Sequence, residues 1–513
     1  MSRKFFLCLI SALLLAAPFH FPFLLPLAWI AFVPLFWALE GAKLREAFLF
    51  GWATGVVANL GGFYWLPYTI RVFGGFPYGL SGFVFLIFAV LEGLQIALFS
   101  AFSRLSGFGP LLLFPALIWV ALEFSFPHLF PWHLASSQAN FLTLIQSADL
   151  IGPYGTSLLI VWLNLTLYAA LRAPNKRPRA GRAAAAALGV AVLAALAYGH
   201  FRLSTVALKM EAAPKLALAA VQGNIDVQLK WDPAQLENNL AAYRKLTERV
   251  QGVNLVIWPE TAVEGWLPDD SRRLPGEILP SLSPEVSDFI FGVRSFLGSP
   301  DRPDFQAFNS AFLADRQGTL LSRYHKQVLL AFGEYIPFVE ILSLIPGVPA
   351  LGSGFSRGDG PHALALTSGI RVAPLICYED LMPALSRRFV REERADLLIN
   401  LTNDAWYGRT TAPWQHARLA LWRAIETRRS LVRVTNTGLT VVINARGEMV
   451  RTLPLFTPGV MKVQVDILEG ETPYVRYGDW FAWTASLLSL VVLLRQALRK
   501  RSKSSMGSNR SNR

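Results

Sequence analysis

Eight apolar segments constrain this chain before anything else does. They lie at 5–19, 22–39, 47–68, 77–102, 109–126, 153–171, 183–200 and 480–495. A transmembrane helix needs about 20 apolar residues, within a range near 17–25. Seven of the segments crowd into the first 200 residues, and the eighth follows a long polar interval. Charged residues make up 16% of the chain, against about 25% in soluble domains. A polytopic membrane protein of about eight helices is expected. The opening "MSRKFFLCLISALLLAAP" has the basic start and apolar middle of a signal peptide. Further spans follow it directly, so an uncleaved first helix is the simpler reading.

Charge sets the orientation. Arg3 and Lys4 precede the first segment, Lys43 and Arg45 follow the second, and Arg104 follows the fourth. "RAPNKRPRAGR" (172–182) follows the sixth segment, and "RQALRKRSK" (495–503) follows the eighth. The alternate loops carry almost no Lys or Arg; 69–76 has only Arg71. Basic loops stay cytoplasmic, so both termini are expected there and 201–478 on the opposite side. The net charge of +13 is thereby read as a topology signal, and no nucleic-acid partner is expected. The expected domains are 1–200 (seven transmembrane helices), 201–478 (an extramembrane domain), 479–496 (the eighth helix) and 497–513 (a basic tail).

Within 201–478 the pattern changes. "KLALAAVQGN", "VNLVIWPET", "DFIFGVRS", "FNSAFLADRQG", "LSRYHKQ", "VAPLICYE" and "ADLLINLTND" read as strands. Residues 234–250, 382–393 and 412–429 read as helices, and "SLVRVTNTGLTVVINARGEMV" as a hairpin through "NARG". Strands interleaved with helices indicate an α/β fold. Reactive residues in such folds tend to sit on the turns beyond strand ends. Glu260 ends "VIWPE", Lys326 follows "LSRYH", and Cys377 ends "VAPLIC". A carboxylate can serve as base for a thiol. A lysine can favour the thiolate and stabilise an oxyanion, with the Tyr378 N–H as a second donor. On chemistry alone the core reading of Cys377 stays open. The other cysteine, Cys8, lies far off in the first apolar segment, so no disulfide is expected.

"WPETA" (258–262), "HKQVLLAFGEYIP" (325–337) and "ICYED" (376–380) resemble the three signature blocks of the nitrilase, or carbon–nitrogen hydrolase, superfamily. Together with the apolar spans, "VQGNI", "KWDP", "NDAWYG" and "TPYVRYGDW", they make nearly the whole chain resemble the membrane-bound apolipoprotein N-acyltransferase family. The resemblance implies an α/β nitrilase-like αββα sandwich on a polytopic α-helical membrane domain, in the bacterial inner membrane with the catalytic domain periplasmic. It implies no cofactor. The implied reaction moves an acyl chain from a phospholipid, usually phosphatidylethanolamine, to the α-amino group of a diacylglyceryl-cysteine. Carried over by motif, Glu260 is the general base, Lys326 the oxyanion lysine and Cys377 the nucleophile. Glu334, Tyr378 and Glu379 are implied as supporting residues, and Trp231 as a substrate contact. Ala331 departs from the proline expected before "FGEY".

The remaining features carry weaker expectations. Glu123, inside the fifth segment, reads as a hydrogen-bonded residue near the outer interface, the alternative being a functional acid at membrane depth. His128 and His133 have no acidic or cysteine partner at ligand spacing, so they read as interfacial polar residues and not metal ligands. The apolar, Gly- and Pro-rich stretch 338–355 is either a mobile arm toward lipid or a packed loop. Two other functions fit less well: a membrane-tethered amidase using the same trio, and a transporter with an outer regulatory domain.

Overall fold

The computed structural model describes residues 2–108, 110–172, 178–302, 304–331, 333–335 and 354–511. The stretch 338–355 lies outside the described residues apart from Gly354 and Phe355. Two compact units result. One comprises Met1–Arg71, Phe76–Leu203 and Tyr477–Arg513; the other comprises Val72–Gly75 and Ser204–Arg476.

The first unit is helical. Among the described residues, five helices are long and apolar enough to cross a bilayer: Arg3–His20, Tyr78–Ser106, Tyr154–Arg172, Gly181–Ala212 and Trp480–Arg499. The segment 47–68 becomes a bent pair, Leu44–Gly62 and Leu66–Gly74, at 64°. The segments 22–39 and 109–126 become shorter apolar helices, Pro22–Ala38 and Phe114–Ser125. Proline punctuates both: Pro22 and Pro34 open the 3-10 helix Pro22–Trp29 and the helix Val33–Ala38, with Pro26 inside the first, and Pro115 and Pro127 bracket the other. At the centre, Phe32, Phe99 and Trp119 meet with ring centroids 4.9–5.2 Å apart. Asn164 ties Phe114–Ser125's neighbours together by donating to the Ala28 carbonyl (3.0 Å) and accepting from the Phe32 N–H (2.8 Å). Small residues let helices close up: a Cβ on Gly55 would lie 2.5 Å from the Gly93 carbonyl oxygen.

Glu123 is buried and hydrogen-bonded, accepting from Trp119 Nε1 (3.0 Å), the Leu134 N–H (2.7 Å) and Ser157 Oγ (3.1 Å). The histidines find their acidic partners across the fold, not at ligand spacing along the chain. His128 Nδ1 lies 2.6 Å from Glu92, and His133 Nδ1 lies 3.6 Å from Glu123. Glu92 reaches His128 across 36 residues of chain, a pairing that local spacing does not reveal. Among the described residues no group of three His, Cys, Asp or Glu side chains could hold a metal.

The second unit stacks two sheets. One has seven strands among the described residues, in the order Gly459–Asp466, Lys215–Gln222, Leu255–Ile257, Asp288–Leu297, Gln306–Asp315 and Leu320–His325, with Val263–Pro268 also paired to Asp288–Leu297. The other has six: Met449–Thr452, Val441–Ile443, Leu431–Thr435, Leu397–Thr402, Arg371–Ile376 and Leu364–Ala365. Lys215–Gln222 touches Leu431–Thr435 across the sandwich, and Gln306–Asp315 touches Arg371–Ile376. Helix Leu236–Thr247 packs on the first sheet, and helices Pro383–Glu392 and Ala412–Thr427 pack on the second. The layers are therefore αββα. Strand Leu255–Ile257 is buried at every position, as a parallel strand covered on both faces should be.

The hairpin through "NARG" is Val441–Ile443 against Met449–Thr452. Strands Val263–Pro268 and Gly459–Asp466 were not expected. The latter runs antiparallel to Lys215–Gln222 over all eight of its residues, joining the two chain ends of the unit.

Candidate active site

The expected reactive residues leave the ends of three strands. Glu260 follows the parallel strand Leu255–Ile257 through Trp258 and Pro259. Trp258 anchors this exit: it is fully buried and donates from Nε1 to Thr247 Oγ1 (2.9 Å). Lys326 directly follows Leu320–His325, and Cys377 directly follows Arg371–Ile376.

Two of these exits have unusual backbones. Cys377 has φ 55, and Thr261, just after Glu260, has φ 45. Non-glycine residues seldom adopt this region, and it persists where the surroundings enforce it. Asn400 Nδ2 supplies part of that enforcement, donating to the carbonyls of Cys377 (2.7 Å) and Leu375 (3.1 Å). Under Glu260, strand Asp288–Leu297 passes so closely that a Cβ on Gly292 would lie 2.5 Å from the Pro259 oxygen and 2.7 Å from Glu260 Cα.

The side chains converge. Lys326 is buried, with Nζ 2.8 Å from Glu334 and 3.9 Å from Glu260. Asn309 Nδ2 donates to both acids, at 2.8 Å to Glu260 and 3.0 Å to Glu334. Glu334 also accepts from the Leu330 N–H at 2.9 Å. The Lys326 ammonium lies 5.6 Å from the Tyr378 ring, and the Tyr378 hydroxyl donates to the Leu329 carbonyl at 2.9 Å.

Burial dominates the electrostatics. It pushes the Glu260 carboxyl up; Lys326 pulls it down, and Glu334 pushes it up again. Burial also raises the Cys377 thiol, and the nearby Glu260 charge raises it further against the pull of Lys326. The resting pair is therefore a neutral thiol beside a carboxylate with heightened affinity for a proton. Burial alone would lower the Lys326 ammonium, but Glu334, Cys377, Glu260 and Glu379 together hold it above the ordinary lysine range. Lys326 is thus a fixed positive charge.

Glu379 sits deeper. It is fully buried and accepts from the N–H groups of Ile376 (2.8 Å), Gln327 (2.7 Å) and Val328 (2.9 Å), and from the Tyr324 hydroxyl (3.0 Å). It therefore clamps the cysteine turn to the chain just after Lys326. Burial pushes its carboxyl up to about 7. Trp231 joins the site at one remove. Its exposed ring stacks on the Arg294 guanidinium at 4.7 Å, and the adjoining Lys230 donates to the Thr261 carbonyl at 2.8 Å.

Comparison with known proteins places this geometry in a family. Residues 217–474, about half of the chain, match the carbon–nitrogen hydrolase family, and residues 11–166 match the apolipoprotein N-acyltransferase N-terminal domain. An apolipoprotein N-acyltransferase of Geobacter metallireducens is 36% identical, covering 98% of this chain and 96% of that protein. Those of Azotobacter vinelandii and Photobacterium profundum are 35% and 30% identical, each covering 94% of this chain and 92% of the relative. The chain belongs to the apolipoprotein N-acyltransferase family.

In this N-acyltransferase family member, the structure brings together six of the seven residues singled out by sequence: Glu260, Lys326, Glu334, Cys377, Tyr378 and Glu379. Sequence reasoning missed Asn309, which links the two acids, and Asn400, which holds the cysteine turn. Both left a trace: each is an amide side chain inside a largely apolar strand, "FNSAFL" and "LLINLT".

Proposed function

We propose that this protein transfers an acyl chain from a phospholipid, phosphatidylethanolamine, to the α-amino group of the N-terminal diacylglyceryl-cysteine of apolipoproteins. Glu260 takes the proton of the Cys377 thiol. The sulfur attacks the acyl ester carbonyl, and the C–S bond forms as the ester C–O bond breaks. The departing lysophospholipid oxygen takes the proton from Glu260, leaving a thioester on Cys377. The lipoprotein amine then attacks the thioester. Glu260 receives the amine proton and returns it to the departing sulfur. Splitting one transfer into two acyl steps is the general advantage of covalent catalysis.

Lys326 and the Tyr378 N–H stabilise the oxyanion of each tetrahedral intermediate. The Tyr378 N–H opens the short helix Cys377–Leu381, where first-turn N–H groups lack intrahelical acceptors. Glu334 and Glu379 hold Lys326 and the cysteine turn in place. Trp231, exposed beside Arg294, contacts a substrate. The enzyme resides in the bacterial inner membrane with both termini cytoplasmic and the catalytic unit periplasmic. Lipid chains cost about 0.8 kcal/mol per CH₂ to withdraw from the bilayer, which favours an enzyme that stays with them.

The observation that carries the reading is the Lys326 ammonium shared between Glu334 and Glu260 beside the Cys377 thiol. The test is mass spectrometry of the full-length protein in phosphatidylethanolamine vesicles without acceptor. An acyl adduct on Cys377 that transfers to added diacylglyceryl lipopeptide is expected. An unmodified Cys377, or an adduct that only water resolves, overturns it; the latter outcome would make the protein a hydrolase.

A further inference from the structure

Behind the cysteine turn lies a cluster of four buried charged groups to which the reaction above assigns no role. Asp380 and Asp404 are fully buried, as is Arg433, and His416 is 4% exposed. Asp380 lies within the cysteine turn Cys377–Leu381, Asp404 begins the turn Asp404–Tyr407, His416 sits on helix Ala412–Thr427, and Arg433 sits on strand Leu431–Thr435. His416 Nε2 lies 2.8 Å from Asp380 Oδ1, and its Nδ1 lies 3.3 Å from Asp404 Oδ1. Arg433 pairs with Asp380 and reaches Asp404 at 3.5 Å.

The geometry decides the protonation. A neutral imidazole has one donor nitrogen and one acceptor nitrogen. Here both nitrogens face carboxylate oxygens, so either neutral tautomer sets a lone pair against an anion. Only the imidazolium satisfies both. Two cations then balance two anions, as burial requires. Asp380, Asp404, Arg433 and the Tyr407 ring, nearly perpendicular to the imidazole with centroids 6.0 Å apart, are the groups facing His416. The two acids raise the imidazole despite burial and Arg433.

The Asp404 turn is tightly seated. A Cβ on Gly438, whose φ is +137, would lie 2.3 Å from Asp404 Cβ. The Asp404 charge also helps to raise the Cys377 thiol. The bridge thus joins the turn that carries the thiol to a second turn whose charge is felt at the thiol.

We propose that His416, protonated and bridging Asp380 to Asp404, is a positioning residue that locks the cysteine turn 377–381 to the turn 404–407, and that Cys377 loses its reactive placement when the bridge loses its proton. The reactivity clause rests on Cys377 being the nucleophile; the locking clause does not.

The test is amide hydrogen exchange of the full-length protein in vesicles, corrected for intrinsic rates, from about pH 6 to about pH 9 across the histidine range. Peptides covering 377–381 and 404–407 are expected to lose protection together, at one midpoint, as pH rises. In His416→Gln, which keeps one donor toward Asp380 but cannot titrate, that step disappears. Separate midpoints, no step in the wild type, or a step surviving in His416→Gln each overturn the lock. Should His416→Gln fail to fold, the joint midpoint in the wild type alone decides. In the same vesicles, Asp380→Asn is expected to slow Cys377 acylation by about 10- to 100-fold, with unchanged dependence on lipid concentration. Wild-type acylation speed in a folded Asp380→Asn overturns the reactivity clause. If wild-type Cys377 forms no adduct at all, the nucleophile reading fails while the exchange experiment still judges the lock.

Discussion

Lys326 Nζ lies 2.8 Å from Glu334 and 3.9 Å from Glu260. The lysine charge is therefore committed mainly to Glu334, and Glu260 keeps its appetite for a proton. Glu334→Gln removes a negative charge that raises the Glu260 carboxyl. The lysine then turns to Glu260, whose carboxyl falls and whose strength as a base falls with it. We expect acyl-adduct formation to slow by about 10²-fold, within the usual range for general-base catalysis. The acid limb of its pH–rate profile should move to lower pH, because Glu260 then ionises sooner. Rapid-quench mass spectrometry across pH reads both effects.

Gly292→Ala tests how closely the Glu260 turn is supported. The new methyl would meet backbone atoms of Pro259, Glu260 and Thr261 at 2.5–2.7 Å, so the turn must move. Misplacing a reacting group by about 1 Å can cost about 10²-fold. The acylation rate should fall far more than lipid affinity does. Unchanged single-turnover rates would contradict the close approach.

Glu379 makes a prediction about pH and stability. Its carboxyl is pushed up to about 7, above the ordinary value near about 4.3. The folded state therefore holds this proton more tightly than the unfolded chain. The resulting stability is present in full below the unfolded value and is lost as pH rises through about 7. Glu379→Gln removes the titration and puts an amide N–H against backbone donors. The variant should be less stable by about 1–3 kcal/mol. The gap in melting temperature between wild type and variant should change with pH across this window, and a pH-independent gap would count against the assignment.

Gly55→Val addresses the helical unit. The added side chain would meet the backbone of Gly93 at 2.5 Å. Backbone cannot rotate out of the way, so the two helices must separate. Overpacking of this kind costs about 1–3 kcal/mol. Melting in detergent should register the loss, and the folded fraction of Cys377 should retain its rate of modification.

The apolar segments, the strand pattern and the three motif blocks were legible in the sequence because each is a local signal. Period, length and spacing are properties of neighbouring residues. Glu260, Lys326 and Cys377 stood out as groups beyond strand ends, but only the resemblance of their motif blocks to a known family singled them out, and Glu334 with them. Proline is a local signal too, and it marks where the segments 22–39 and 109–126 become short helices.

What the linear chain hid is pairing across distance. Glu92 with His128, Asn309 with both Glu260 and Glu334, and Asp380 with His416 and Arg433 join residues 25 to 53 positions apart. Such partners become neighbours only when sheets stack and helices pack. Asp380, three residues beyond the cysteine, had no assignment from its motif. Its meaning comes from helix Ala412–Thr427 and strand Leu431–Thr435, which bring His416 and Arg433 to it. The sequence by itself determined which elements form and which side chains the motif blocks single out. Tertiary structure alone decided which buried charges balance one another, because burial strips away water and leaves each charge dependent on the partners that folding delivers.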